Sequence, residues 1–560
     1  MKRQNLLPSV NASTEAEPTS DLDGVLRQLG NFGRYQTLQF ALLCLYGCWF
    51  TAWQLMGIIF TASTPQNYHC TSPPGFSANE TVPRQEPDSD GVAELERCKM
   101  FVVHDGIVTK NVTDCEYGWD YQMAQKDETT IVTDFDLICD YDLSGETVQS
   151  VLFGGVLVGA IISGQLSDIV GRKIIIHASL VGEAGVSLTV FVMYMEMFTP
   201  EMRGIAGGIG NIMWGIGVTL ITPIAYLLPN WRHLQMTISL VCLIGIPFYW
   251  FIQESIRWLI SRGRLEEAEQ ILQKIAKFNH ISAPRKFLTS SKYVTEKMAQ
   301  LEAPEEPCLT VETRDFADDD HGSLGETHVS RDTSDAKPEE TKIVDFVEEN
   351  DGINGHSDSA PTSQKFVNSV VYYGLSLNSV NLAGNKYLNI FLLCVVEIPC
   401  SIFVIIALKW CPRRWCQSIS FLIAGVFCIL TGCIPDKTDN GTDLGPLIVT
   451  AATLGKFSIS FSFCLVFVYT SEWLPTIVRN AGVGGTSLCA RAGGMVAPFL
   501  VYLSGVDRSL PLIIFGVISI IASGLTLFFP ETLNRTMPTT ITDAEKIARE
   551  SSLCKIRLVL

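Results

Sequence analysis

A single arginine stands in the middle of a long apolar stretch near the end of this 560-residue chain. Between Ala481 and Ser504 the only charged residue is Arg491, in the sequence SLCARAGGMVAP. A cation at bilayer depth costs at least ~2.5 kcal/mol, so such a residue usually faces a cavity or a partner. Arg491 is therefore a candidate functional residue, and the alternative is a structural ion pair.

Two further charges, Glu397 and Lys456, also interrupt apolar stretches. A buried carboxylate can attract a quaternary ammonium group, whereas Lys456 can either pair with Glu397 or line a path. Aromatic side chains at Tyr373, Trp53 and Trp214 can present π faces to such a cation. The alternative for the two tryptophans and the tyrosine is packing, or a place in the interfacial aromatic belt.

Catalytic signatures are missing from the sequence. It contains no P-loop, no Gly-x-Ser-x-Gly elbow, no His-Glu-x-x-His and no cysteine pair with zinc spacing, and it has only 8 histidines. We expect no enzyme, no bound metal or cofactor and no nucleic-acid partner. No ATP-binding motif is present either, so if the chain moves solutes, the energy would come from gradients, with Na⁺ or H⁺ as possible coupling ions.

Composition indicates a polytopic membrane protein, because 47% of the residues are hydrophobic and only 18% are charged. The mean hydropathy is +0.25. No cleavable leader is visible before the first apolar run. Runs near the ~20 residues that cross a bilayer predict eleven candidate spans: 36–61, 147–167, 174–195, 206–228, 233–252, 366–380 (short), 387–408, 416–434, 445–469, 481–504 and 509–529.

A hydrophilic loop of residues 63–146 separates the first two spans. Its cysteines and sequons are typical of an oxidised, glycosylated surface, outside the cell or in a lumen. We expect two disulfides among its four cysteines, with three connectivities open. The loop residues concerned are Cys70, Cys98, Cys115, Cys139, Asn79 and Asn111, and a further sequon lies at Asn440.

The acidity of the chain is concentrated in residues 301–360, which hold 18 Asp or Glu against 4 Lys or Arg. This stretch is typical of a disordered linker. Basic residues beside the spans, including Arg257, Arg262 and Arg264 before the linker, place that side in the cytosol. Both termini are then expected in the cytosol.

The stretch GQLSDIVGRK resembles the signature loop of the major facilitator superfamily. Its key residues are Gly164, Asp168, Gly171 and Arg172. Glycine permits the tight turn, and the Asp and Arg side chains can hold helix ends together. The resemblance implies a gating role, and an all-α major facilitator fold with two helical halves.

Longer segments are similar to the organic cation, organic anion and carnitine transporter family, most closely to its carnitine and fly-like branch. They include TPQNYHC, DLICD, ESIRWLI with Glu254 and Arg257, YTSEWLPTIVRN with Glu472 and Arg479, PETLNRTMP, and residues 372–399. The likeness covers most of the chain outside the N-terminal tail and the acidic linker.

The resemblance also implies roles for the intramembrane charges. The family position that matches Arg491 faces the central cavity, and it is Asp in cation carriers but Arg in anion and carnitine carriers. Glu397 matches a cavity glutamate of cation and carnitine carriers, and Tyr373 and Lys456 match shared family residues. A guanidinium fork suits a carboxylate, so the two charges together would suit a zwitterion.

Three departures from the family pattern stand out. From Gly171 to Glu254 the chain is short by about one helix, and a single span at 174–195 separates Arg172 from Arg203, which both look cytosolic. The segment is a fused helix, a re-entrant element or the product of splicing or misprediction. The seventh helix is short, and Lys409 and Pro412 replace the Asp and Gly of a second signature loop, removing an acid that would pair Arg413 or Arg414.

The expected organisation follows the spans: cytosolic tail 1–35, first helix 36–61, loop 62–146, the rest of the N-terminal half 147–252, linker 253–365, C-terminal half 366–529 and cytosolic tail 530–560. The predicted function is plasma-membrane transport of a small zwitterion such as carnitine or a betaine, by alternating access. Organic cation or organic anion transport is the nearest alternative, and a non-transporting, regulatory isoform is the alternative from another class.

Overall fold

A computed structural model describes residues 22–30, 32–65, 67–84, 95–104, 107–141, 143–182, 186–282, 284, 287–288, 360–438, 441–473 and 479–533. The chain divides into two compact units. One comprises Met1–Val25 and Pro284–Ala360, and the other comprises Leu26–Ala283 and Pro361–Leu560. The second unit holds the helix bundle and the disulfide-bonded loop.

Helices dominate the described chain. In the N-terminal half they are α1 (Leu22–Gln28), α2 (Arg34–Leu43), α3 (Trp49–Thr61), α4 (Ala78–Thr81), α5 (Ile131–Asp134), α6 (Ser144–Val170), α7 (Arg172–Gly182), α8 (Val186–Met197), α9 (Pro200–Leu227), α10 (Trp231–Gly245), α11 (Phe248–Phe251), α12 (Ile256–Ser261) and α13 (Leu265–Phe278). In the C-terminal half they are α14 (Ala360–Leu377), α15 (Lys386–Val395), α16 (Glu397–Trp410), α17 (Arg413–Cys433), α18 (Gly445–Trp473), α19 (Arg479–Tyr502) and α20 (Leu510–Thr526).

The predicted all-α membrane fold is confirmed. In the part of the chain that the structure describes, six helical stretches are long and apolar enough to cross a membrane: Cys139–Val170, Met202–Leu227, Lys386–Trp410, Arg413–Cys433, Gly445–Glu472 and Gly484–Gly505. The shorter α20 is equally apolar, and a π-helical turn, Cys44–Cys48, joins α2 to α3 in the first predicted span.

The single span predicted at 174–195 is wrong, because the segment forms two short helices. α7 has 11 residues and α8 has 12, so each is about 17 Å long, roughly half the thickness of a bilayer core. Arg172 Nη2 at the start of α7 lies 3.3 Å from Glu196 Oε1 near the end of α8. The segment therefore leaves and returns on the same side, as the re-entrant alternative requires.

The hairpin of α7 and α8 is anchored by close packing. Ile176 from α7 and Val190 from α8 share a buried apolar cluster with Phe40 of α2. Val190 also packs closely against Gly47 in the π-helical turn between α2 and α3, where a Cβ on the glycine would lie 2.6 Å from the valine side chain. A half-length hairpin is thus held by specific contacts along its sides.

The loop between α3 and α6 forms a small disulfide-bonded cap. Strand β1 (Asn67–Cys70) pairs antiparallel with β4 (Trp119–Gln122), and β2 (Met100–His104) pairs antiparallel with β3 (Ile107–Thr113). Of the three open connectivities, the structure has Cys70–Cys115 and Cys98–Cys139. Asn79 and Asn111 are exposed, whereas Asn440 lies outside the described residues. We call the membrane surface beside this loop the cap face and the opposite surface the motif face.

Helix α14 is longer than its apolar run indicates. The run begins at Phe366, but the helix begins at Ala360 and includes the polar residues up to Lys365. Two of those residues are buried: Gln364 packs against α20 and Lys365 against α19, where they hydrogen-bond Thr526 and Thr486. Apolarity alone therefore places the start of this helix too late.

The hairpin predicts how the chain is oriented around it. An N-glycosylation sequon inserted in a flexible spacer beside Glu201 should remain unmodified, because the α7–α8 hairpin returns the chain to the motif face before this residue. One in the acidic linker, which the sequence predicts to be cytosolic, should remain unmodified as well. The native sequon at Asn79 is the positive control. Glycosylation mapping in which both inserted sequons are modified would contradict this topology.

Candidate substrate site

A proline places an acidic residue at the middle of the bundle. Pro399 has no N–H to donate to the carbonyl of Val395, so the long helix breaks at Val396 into α15 and α16. Glu397 is the first residue of α16, about 16 Å from the start of α15 at 1.5 Å per residue. The break sets this carboxylate near the centre of the membrane.

Glu397 forms a buried ion pair with Lys456 of α18. Its Oε1 atom lies 3.1 Å from Lys456 Nζ, and the two side chains are 7% and 1% exposed. Tyr372 of α14 donates a hydrogen bond from its hydroxyl to the same oxygen at 2.6 Å. Lys456 Nζ also donates to Ser376 Oγ at 2.7 Å and lies 3.2 Å from the centre of the Tyr372 ring. The sequence alternative in which Lys456 pairs with Glu397 is the arrangement found.

Aromatic residues from both halves surround this pair. Trp214 of α9 donates to the Tyr372 hydroxyl at 3.3 Å. Tyr373 packs its ring against Tyr372 and against Phe153 of α6, with ring centres 5.1 and 4.7 Å apart. Trp53 differs, because its indole N–H donates to the Gly217 carbonyl at 2.9 Å and so fastens α3 to α9.

Arg491 lies half-buried near the middle of α19, where that helix crosses α14. The crossing is close: a Cβ at Gly493 would be 2.6 Å from the Phe366 carbonyl oxygen. Tyr373 lies within electrostatic range of both Arg491 and Glu397. The structure thus brings four of the six predicted binding residues around Tyr372, namely Glu397, Lys456, Tyr373 and Trp214. Arg491 lies near Tyr373, and Trp53 is used in packing.

Two residues of this region escaped sequence reasoning. Lys365 is 1% exposed, donates to Thr486 Oγ1 at 2.9 Å and lies 3.8 Å from the centre of the Phe467 ring. Tyr372, the neighbour of the predicted Tyr373, is the residue that contacts Glu397. A helical signal marks both, since polar residues recur on one face of α14 at 365, 368, 372 and 376.

The predicted gating residues of the N-terminal half meet at the motif face. Arg172 pairs with Asp168 at 2.5 Å and with Glu196, whose backbone carbonyl accepts from Arg257. Glu254 accepts from the backbone N–H groups of Arg172 and Lys173 at 3.0 and 3.2 Å, and burial raises its pKa. Gly164 lies in the last two turns of α6, which lead into this cluster.

The C-terminal half has a matching cluster, which corrects one expectation. Replacement of the motif acid by Lys409 suggested that Arg413 and Arg414 lack a carboxylate partner. Instead Arg413 Nε lies 3.3 Å from Glu472 of α18, and Glu531 accepts from the backbone N–H groups of Arg413 and Arg414. The acids come from distant helices, which local spacing cannot reveal. Arg479 begins α19, and its side chain lies outside the described residues.

Two helical halves around a buried polar centre, with arginine clusters at one face, define a membrane transporter. Residues 181–307 match the family model "Sugar (and other) transporter". The chain is 31% identical to "Organic cation transporter protein" of Drosophila melanogaster, over 94% of this chain and 95% of that protein. It is 30% identical to "Organic cation/carnitine transporter 2" of Rattus norvegicus, over 93% of each chain. Among solved structures, the inward open xylose transporter XylE from E. coli matches with a TM-score of 0.48 and 14% identity, over 71% of this chain and 89% of that one.

The chain belongs to the solute carrier 22 family of organic cation and carnitine transporters, within the major facilitator superfamily. It is a multi-pass membrane protein and a secondary transporter of small organic ions, and it is not an enzyme.

The buried pair predicts a characteristic mutational pattern. Glu397→Gln or Lys456→Met alone should reduce folding and surface expression, because each strands the other charge, at a cost of about 3 to 5 kcal/mol. The double variant should recover much of that loss. Thermal unfolding of purified protein and surface biotinylation measure it, and a double variant no more stable than either single one would contradict the pair's structural role.

Gly171 makes a second, local prediction. Its φ is +120°, and a Cβ there would lie 2.5 Å from Glu254 Oε2. Gly171→Ala should therefore destabilise the motif-face cluster by about 1 to 3 kcal/mol. Gly164→Ala is the matched control, since nothing lies within 4 Å of its Cβ position. Equal melting temperatures for the two variants would refute this assignment.

Proposed function

We propose that this protein transports a small zwitterion, such as carnitine or a betaine, by alternating access across the plasma membrane, with both termini in the cytosol. The observation that carries this is the pairing of opposite charges near the bundle centre. Tyr373 lies within electrostatic range of both Arg491 of α19 and Glu397 of α16. A ligand with a carboxylate at one end and an ammonium at the other matches that arrangement.

The carboxylate end of the ligand would bind Arg491. A guanidinium presents parallel N–H donors that fit a carboxylate in bidentate fashion, and its charge is permanent. Arg491 is half-buried in an apolar helix, and an ionisable residue within a membrane helix commonly marks a substrate path.

The ammonium end would lie among the aromatic residues beside Glu397. Both hydrogen bonds to this side chain, from Lys456 and Tyr372, use Oε1, and Oε2 accepts none from the described residues. Trp214, Tyr372 and Tyr373 add aromatic surface, which attracts a trimethylammonium group through its π faces. Lys456 offsets part of the charge of Glu397, so aromatic contact supplies a large share of this attraction.

Alternating access would use the contacts between halves. Near the cap face, Ser150 of α6 donates to the Met495 carbonyl at 2.8 Å, Glu128 of the cap pairs with Lys386, and Phe60 stacks on Tyr387. The arginine clusters at the motif face hold each half together internally. Opening toward the cap would separate the first set of contacts while the second set moves as rigid bodies. A gradient of the substrate, of Na⁺ or of H⁺ would supply the energy.

A second candidate, transport of organic anions, is favoured by the charge count. Among the described residues in the middle of the C-terminal helices, Lys365, Lys456 and Arg491 are cationic and Glu397 is acidic. The relatives are named for organic cations and carnitine, and neither name covers simple anions. A non-transporting role stays open because the α7–α8 hairpin is short, and uptake beside a twelve-helix relative tests it.

The charge pair predicts opposite effects on two substrates. Arg491→Asp should abolish carnitine uptake and preserve or improve uptake of tetraethylammonium, because a carboxylate would replace the fork that holds the carboxyl group. The expected loss is about 2 to 5 kcal/mol, the range for truncating one member of a desolvated charge pair. Radiolabelled uptake, normalised to surface protein, measures both.

Arg264→Asp is the matched control, since the same change occurs at an exposed arginine that pairs with Glu267 on the surface. It should leave both substrates unaffected. Equal carnitine uptake by surface-expressed Arg491→Asp and the parent would exclude a substrate role for Arg491. Parent uptake of an organic anion such as p-aminohippurate, without carnitine uptake, would favour the second candidate.

A further inference from the structure

Lys365 is a fully buried cation in the C-terminal half without an acidic partner. Among the described residues, no carboxylate oxygen lies within 4.0 Å of its Nζ atom, whereas Lys456 has Glu397 at 3.1 Å. Its hydrogen-bond partner, Thr486, is neutral. An isolated buried ammonium is costly, and an anion brought to this position would stabilise its charged form.

The position of Lys365 indicates which anion it would bind. Phe366, the next residue, touches Gly493 across the α14–α19 crossing, and Arg491 precedes that glycine by two positions. Thr486 lies about 7.5 Å along α19 from Arg491, toward the motif face. Lys365 and Arg491 therefore extend from one helix crossing, and their positive charges repel each other.

The surroundings of Lys365 contain further polar atoms. Asn368 and Ser369, one turn along α14, are both 0% exposed. Asn368 Oδ1 and Ser369 Oγ have no hydrogen-bond partner among the described residues. Buried polar atoms are normally satisfied, so this stretch is suited to a polar ligand rather than to dry packing.

We propose that Lys365 is the charge-selecting residue of the site: with Arg491 it forms a positive subsite between α14 and α19 that receives the substrate carboxylate and disfavours simple cations. The ammonium of Lys365 already occupies the face of Phe467, 3.8 Å from its ring centre. That aromatic surface is thereby closed to the ammonium of a ligand, which binds instead beside Glu397. This inference rests on the proposed zwitterion transport and adds a second carboxylate contact.

The test compares Lys365→Met and Lys365→Gln, which remove the charge, with Lys365→Arg, which keeps it. Lys409→Met is the matched control, because Lys409 is exposed at the end of α16. Neutral variants should raise the KM for carnitine about tenfold to a hundredfold, the range for one lost charge-assisted hydrogen bond, and should admit tetraethylammonium. Lys365→Arg and Lys409→Met should keep the parent ratio of carnitine to tetraethylammonium uptake.

A second arm separates failure of this inference from failure of the proposed function. Purified parent and variants are melted with increasing carnitine, acetate or chloride, at constant ionic strength set with methanesulfonate, which carries no carboxylate. Acetate and carnitine should stabilise the parent at concentrations about tenfold lower than those needed to stabilise the neutral variants to the same extent. If the parent takes up no carnitine but acetate still stabilises it through Lys365, the subsite stands and the zwitterion function falls.

Two outcomes overturn the inference. Stabilisation by chloride alone would assign Lys365 to an inorganic anion and refute the carboxylate role. Neutral variants with the parent's charge selectivity and the parent's response to all three anions would show that Lys365 is a packing residue.

Discussion

The buried Glu397–Lys456 pair is the interaction on which the centre of this protein depends. Each charge would be costly alone at this depth, so each stabilises the other, and the pair positions the neighbouring helices. Tyr372 binds the carboxylate and lies against the ammonium, and Trp214 binds Tyr372 from the opposite half. Four helices, α9, α14, α16 and α18, therefore meet at one polar node, and any movement of the halves must rearrange contacts around it.

The same chemistry recurs at the motif face in both halves. In each half an arginine opens a helix, a glutamate from a neighbouring helix pairs with its guanidinium, and a second glutamate caps the helix through backbone N–H groups. The N-terminal version adds Asp168 four residues before the arginine, and Lys409 occupies the equivalent place in the C-terminal half. The C-terminal cluster lacks this third acid but keeps its two glutamates, so its arginine is still paired and its helix is still capped.

Sequence reasoning found Arg491, Glu397 and Lys456 because an ionisable residue in an apolar run stands out by its cost alone. It detected the anomaly at 174–200 from the sidedness of flanking arginines, but left three explanations open, since hydropathy does not distinguish one crossing from two half-depth helices. Apolarity places the start of α14 too late and therefore misses Lys365, although Gln364 and Lys365 are buried against other helices. The acids that serve Arg413 come from residues 59 and 118 positions away, which no local motif reports.

The α7–α8 hairpin bears on how the length of such a chain can vary. Loss of one complete crossing would invert the sidedness of every later loop and place the acidic linker and the motif arginines in the wrong compartment. Shortening two successive helices at the ends that face each other removes a similar length of chain and inverts nothing. Arg172 still meets Glu196, and every helix after Thr199 keeps its direction. Two membrane helices joined as a hairpin can thus shorten together. Orientation is conserved because the chain still returns to the side from which it started.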